Sequence, residues 1–130
     1  MVWHPSKYAA LLAEKIEQHQ THVWLVNTGW IGGGTEEGKR ISLKHTRAII
    51  DAIHDGSLLT TDFDTLPVFD LKIPKKVKAV PDEVLNPSAF WKDEKHYWEQ
   101  AKKLARLFQD NFKKFKAGDQ LDIAQHGPKL

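Results

Sequence analysis

The sequence predicts an α/β fold: a short mixed sheet flanked by helices, an extended proline-rich arm and a long C-terminal helix. Three observations carry that prediction. Apolar residues recur every three or four positions over 5–19 and again from Tyr97 to Phe115, the spacing of one face of a helix. Between them, His22-Val23-Trp24-Leu25-Val26-Asn27 is a short apolar run stopped by glycines, which reads as a buried strand. Residues 57–88 show no sustained period and are punctuated by Pro67, Pro74, Pro81 and Pro87.

In chain order, the first element is an amphipathic helix over 5–19. Tyr8, Leu11, Leu12 and Ile16 make its apolar stripe, and Pro5 falls in the first turn, where a missing N–H costs nothing. The run 22–27 is apolar on both alternations, as strands of a parallel sheet covered on both faces are. Gly29 to Gly38 is a loop, and Lys39 to Leu43 alternates polar and apolar residues as a second short strand would. Thr46 is placed to cap a helix carrying Ala48, Ile49, Ile50, Ala52 and Ile53. Gly56 is placed to end that helix in the left-handed conformation. A structureless stretch as long as 57–88 is uncommon inside a compact domain, so the segment reads as an arm lying on a surface. Asp93 then caps a helix with Tyr97, Ala101, Leu104, Phe108, Phe112 and Phe115 on one face, running to about Lys116. The polar residues 117–130 read as a loose tail.

The composition bounds the function. The chain has 130 residues, enough for one domain with a modest core. A net charge of +2 is too small to imply nucleic acid by itself. Without cysteine there is no disulfide frame, thiolate metal site or thiol nucleophile. No signal-peptide pattern or membrane-spanning run is visible, so a cytoplasmic location without a membrane partner is expected. Seven histidines are scattered without a ligand spacing, so no metal residues are assigned. No serine elbow occurs and the aspartates do not pair by spacing, so no catalytic residue is assigned either. Lys72, Lys75, Lys76 and Lys78, with the lysines and arginine of the last helix, offer a formal single-strand nucleic-acid surface. Glu94, Glu99 and Asp110 partly neutralise it, and a solvated face is the preferred reading.

Gly33-x-x-x-x-Gly38-Lys39 supplies most of a phosphate-binding P-loop. It fails on three counts. Arg40 stands where Ser or Thr must hold a metal, and a guanidinium has donors only. Glu36 and Glu37 would put negative charge inside an anion cradle. The residues after Lys39 read as strand, where a P-loop needs a helix. The same segment offers another contact: Arg40 can stack on a base or fork onto phosphate, and Thr46 brings a hydroxyl to a helix start. On spacing alone, a surface arginine and an ordinary helix-start threonine are the preferred readings.

The residues themselves go further. Leu25-Val26-Asn27-Thr28-Gly29-Trp30, then Gly38-Lys39-Arg40-Ile41-Ser42-Leu43-Lys44-x-Thr46-Arg47-Ala48-Ile49-Ile50-Asp51-Ala52-Ile53, resemble the C-terminal part of ATP-dependent phosphoenolpyruvate carboxykinases. His4-Pro5-x-x-Tyr8-Ala9, Thr65-Leu66-Pro67-Val68-Phe69, Ile73-Pro74, Leu85-x-Pro87 and Leu104-Ala105-x-Leu107-Phe108-x-x-Asn111-Phe112 occur in the family's order, so the resemblance covers 4–116. It implies a partial C-terminal nucleotide-binding domain of an enzyme that turns oxaloacetate and ATP into phosphoenolpyruvate, ADP and carbon dioxide with Mg²⁺ and Mn²⁺. It implies that Arg40, Ile41 and Thr46 contact ATP near its base and sugar. The family's phosphate loop, metal ligands and substrate arginine lie upstream and have no counterpart in these residues. The expectation is therefore a domain fragment or truncated product without turnover, binding ATP weakly or not at all when isolated. Some of Trp3, Trp24, Trp30, Trp91 and Trp98 should be left bare, which favours a homo-oligomer formed by edge pairing or swapping. Two other classes are a stand-alone non-catalytic nucleotide-binding or structural module, and a nucleic-acid-binding protein.

Overall fold

The computed structural model describes residues 3–34, 36–115 and 124–130. The first helix, α1, runs Pro5–His19. The His4 ring nitrogen accepts from the Ser6 N–H at 3.3 Å, and Gln20 closes the helix in the left-handed conformation. Two short strands, β1 (Trp30–Ile31) and β2 (Lys39–Arg40), form an antiparallel hairpin. Helix α2 (Leu43–His54) comes next, and Gly56, with φ 78°, turns the chain out of it as the sequence predicts. A 3-10 turn at Ser57–Thr60 leads to a second antiparallel hairpin, β3 (Phe63–Leu66) with β4 (Leu71–Pro74). A single helical turn, α3 (Asp82–Leu85), and the long helix α4 (Glu94–Phe112) complete the order, with 3-10 turns at Lys113–Phe115 and Ala124–His126.

The elements are the mixture of helix and small sheet expected, but the details differ. Residues 22–27 are not a strand: among the described residues no backbone pairs with them. A strand exists only beside another strand, and both sheets are closed two-stranded antiparallel hairpins. The mixed sheet with parallel pairing is therefore absent from the described residues. The helix after β2 starts earlier than predicted. Ser42, not Thr46, is its N-cap, with backbone φ −60° and ψ 136° and an Oγ accepting from the Lys44 N–H at 3.2 Å. The last α-helix stops at Phe112 and tightens to a 3-10 turn, short of Lys116, which lies outside the described residues.

The largest correction concerns 57–88. Instead of an arm it is a folded hairpin with a helical turn, and it supplies three of the four residues of one core cluster. Leu58, Val77 and Val80 are buried with Ala52 of α2, and Trp24, Ala48, Ile49, Ile53, Val84 and Leu85 pack around them half-buried. The hairpin turn hides its own signal. Val68 and Asp70 take left-handed φ of 72° and 55°, a conformation in which a β-branched residue is an outlier. The chain end returns to that turn: the Lys129 N–H donates to the Val68 carbonyl at 2.6 Å, and its ammonium meets Asp70 at 2.6 Å. Gln109 on α4 holds the Pro128 carbonyl at 2.8 Å. Of the expected loose tail 117–130, residues Pro128 and Lys129 are thus held in place, while 117–123 lies outside the described residues.

On α4 the buried residues are Tyr97, Ala101 and Ala105, spaced by four. Leu104, Leu107 and Phe108 of the same helix are exposed, although Phe108 meets Phe69 edge-on at 6.4 Å. The core is small for the chain. The accessible surface is 10226 Å², whereas folded monomers of 130 residues expose about 7,000 Å².

Candidate functional site

The glycine-rich stretch is explained by backbone geometry. Trp30 faces Arg40 and Ile31 faces Lys39 across the β1–β2 hairpin, and the Ile41 N–H donates to the Gly29 carbonyl at 3.1 Å. Gly32 has φ 77°, and a Cβ there would sit 2.7 Å from the Phe90 carbonyl oxygen. That glycine lets the hairpin end lie against the segment before α4. The Gly38 N–H donates to the Gly34 carbonyl at 2.8 Å. A donor turned onto the loop's own carbonyl is not directed at a phosphate, which agrees with the sequence-level rejection of a P-loop.

The three nucleotide candidates succeed one another where this hairpin runs into α2. Arg40 is exposed, and its guanidinium carbon lies 5.7 Å from the centroid of the Trp30 ring, which it faces across the hairpin. It has no ion pair among the described residues. Ile41 is half-buried at the corner. Thr46 lies in the first turn of α2, where its N–H closes onto the Ser42 carbonyl at 3.0 Å. Its Oγ1 is out of contact with solvent and without a hydrogen-bond partner, which no other buried side-chain polar atom is among the described residues. A buried hydroxyl left unpaired costs about 1–3 kcal/mol, and such atoms call for an explanation. A ligand reaches this oxygen only after rotation about χ1, and helical threonine divides between two such rotamers.

Two of the cavities among the described residues stand out, and neither is lined by Arg40, Ile41 or Thr46. One, of about 580 Å³, lies between the β3–β4 hairpin, α3 and Trp98. The other, of about 270 Å³, lies between Gly32, Lys39, Phe90, Trp91 and His96. Sequence reasoning missed Trp30 as the platform under Arg40. The register of the hairpin carries that pairing, and the register depends on the turn.

Hydrogen bonds from Ser57 hold the Asp55 carboxyl below its ordinary value. The Lys129 ammonium does the same for Asp70, and the Lys113 ammonium for Asp110. Burial raises the Tyr97 phenol. These shifts belong to a turn, two surface ion pairs and a core. For a divalent metal the donor set does not fit: no three His, Asp or Glu converge among the described residues. For a nucleotide the chemistry fits better, with an open cation on an aromatic ring and an unsatisfied hydroxyl. No helix among the described residues is long and apolar enough to cross a membrane.

The helices, the two short antiparallel hairpins and the small core are consistent with a part of an α/β protein. The sequence profile of the family described as phosphoenolpyruvate carboxykinase matches residues 1–83, and the chain belongs to that family. It is 48% identical over 129 residues to the ATP-type phosphoenolpyruvate carboxykinase of Candida glabrata, covering 98% of this chain and 24% of the relative. It is 48% identical to a second such protein of Salinibacter ruber, over 100% of this chain and 24% of the relative. With that of Emericella nidulans the identity is 46%, over 96% of this chain and 21% of the relative. The chain spans about a quarter of the length of the curated relatives it matches.

Proposed function

We propose that these residues form one edge of the nucleotide site of an ATP-dependent phosphoenolpyruvate carboxykinase. The partial C-terminal nucleotide-binding domain would hold ATP through Arg40, Ile41 and Thr46. The guanidinium stacks on the base or forks onto phosphate, the isoleucine packs on the sugar and base, and the hydroxyl rotates outward to accept or donate one hydrogen bond. One observation carries the reading. The family-matched segment has an open guanidinium, an apolar side chain and an unpaired hydroxyl in succession at a single hairpin-to-helix corner.

The whole enzyme would convert oxaloacetate and ATP to phosphoenolpyruvate, ADP and carbon dioxide, a step of gluconeogenesis, in the cytoplasm. Phosphoryl transfer needs metal ions and a phosphate cradle. The described residues offer neither, so Mg²⁺ and Mn²⁺ are held by other parts of such a polypeptide and this chain alone turns over no substrate. ATP titration calorimetry tests the site. We expect weak binding that Arg40→Ala reduces about tenfold or more, the size of a lost charge-assisted contact. Thr46→Val weakens it less, because its loss of a ligand contact is partly offset by removing an unsatisfied hydroxyl. Binding untouched by Arg40→Ala, or carboxykinase turnover by the chain alone, contradicts the reading.

A further inference from the structure

The hairpin that carries Arg40 also fixes what Arg40 touches. Residues directly opposite in an antiparallel pair share one face of the ladder, and Trp30 is opposite Arg40. The Ile41 N–H, bonded to the Gly29 carbonyl at 3.1 Å, ties the two strands again at the next position. Lys39, one residue earlier, belongs to the other face: it lines the cavity of Gly32, Phe90, Trp91 and His96, and Arg40 does not. The Arg40 guanidinium carbon lies 5.7 Å from the centre of the Trp30 ring, within the roughly 6 Å over which an aromatic face attracts a cation. Both side chains are exposed. Arg40 has no ion pair among the described residues that would draw it elsewhere.

We infer that Trp30 is a positioning residue for the nucleotide site: its indole face holds the Arg40 guanidinium in place before a ligand arrives. The inference rests on the reading of Arg40 as a nucleotide contact. An exposed arginine turns about several bonds, and immobilising such a side chain on binding weakens affinity. The indole removes part of that loss in the free protein. It does so without taking the donors a ligand needs. A ring attracts the charge through its quadrupole, while the guanidinium N–H groups stay available at its edges. A carboxylate partner would grip the arginine in a two-pronged pair and occupy those same donors. An aromatic residue is therefore the side chain that holds an arginine still and leaves it open, and tryptophan has the most attractive face. Trp30 acts through Arg40 and not on the nucleotide itself.

The test is a double-mutant cycle, read by ATP titration calorimetry on the full chain with Trp30→Leu, Arg40→Ala and the two combined. We expect Trp30→Leu to weaken ATP binding roughly two- to fivefold, the worth of one exposed cation–π contact. Trp30→Phe restores part of the loss, and the combined variant binds no more weakly than Arg40→Ala alone. A merely structural Trp30 would weaken the Arg40→Ala chain as well, because damage to the hairpin does not depend on the guanidinium. The contact is also visible without any variant. In the NMR spectrum of the ligand-free chain, the Arg40 side-chain protons should be shifted upfield by the ring, and this readout decides should Trp30→Leu fail to fold. The inference alone is overturned if Arg40→Ala weakens binding and Trp30→Leu does not, if Trp30→Leu costs the same factor with and without Arg40, or if the ring shift is missing. If the chain binds no ATP, or Arg40→Ala changes nothing, the nucleotide reading fails and the inference falls with it, even where the ring shift is present.

Discussion

Helices α1 and α2 make an instructive pair. Both are amphipathic, both are capped at the N-terminus by a side chain, and both are left through a left-handed residue, Gln20 in one and Gly56 in the other. Yet α2 buries Ala52 and lays Ala48, Ile49 and Ile53 on a core, while α1 buries nothing. The difference lies in the stretch of chain that comes after each helix. Beyond α2 the chain supplies its own cover, the Leu58 turn and the β3–β4 hairpin with Val77 and Val80. Beyond α1 it supplies His22–Asn27, which has no strand beside it among the described residues. Local signals form a helix, but burial needs a partner, and most helical stability comes from that packing.

The comparison breaks most easily at its two leucines. Leu58 is 3% exposed and Leu25 87%. Leu58→Ala should lower stability by about 2–5 kcal/mol, as core truncations do. Leu25→Ala should change it by less than about 0.5 kcal/mol. Urea unfolding of the two variants measures both, and equal losses would show that the N-terminal region is as well packed as the core. A smaller effect tests how α2 is joined to its cover. Gly56 has φ 78°, so Gly56→Ala should cost roughly 1–2 kcal/mol through left-handed strain.

The smallest effect is the clasp of Lys129 on Asp70. Lys129 holds the Asp70 pKa below its ordinary 3.8. The contribution is therefore fully present above that ordinary value and is lost as pH falls through the lower folded value. Amide exchange at Lys129 should be unchanged from neutral pH down to about the ordinary aspartate range, after correction for intrinsic rates, and lose protection below it. Lys129→Ala should abolish that pH step. A clasp that opens already near neutral pH would assign the step to another group.

Legibility in the sequence divides along the same line. The bounds of α1, the Asp93 cap of α4 and the Gly56 exit are local chemistry, and residue type alone reported them. The β3–β4 hairpin was not legible, because Val68 and Asp70 carry left-handed turn positions that glycine or asparagine usually mark. The false strand at 22–27 is the reverse case. Its apolar run states what the segment would bury, and nothing in the run says whether another strand lies beside it. Of the candidate site, residue chemistry offers Arg40 and Thr46 without preferring them, and the resemblance selects them and adds Ile41. The stacking of Arg40 on Trp30 and the unpaired Thr46 hydroxyl needed the fold, because both depend on how the hairpin and α2 meet.

The molecule thus divides into a part that closes on itself and a part that has no strand beside it among the described residues. Residue-resolved hydrogen exchange on the free monomer tests that division directly. Amides of Ile49, Ile50, Ala52 and Ile53 should be protected to near the global unfolding free energy, and those of Val23 to Val26 should exchange at almost unfolded rates. Equal protection of both sets in a dilute monomer would contradict it.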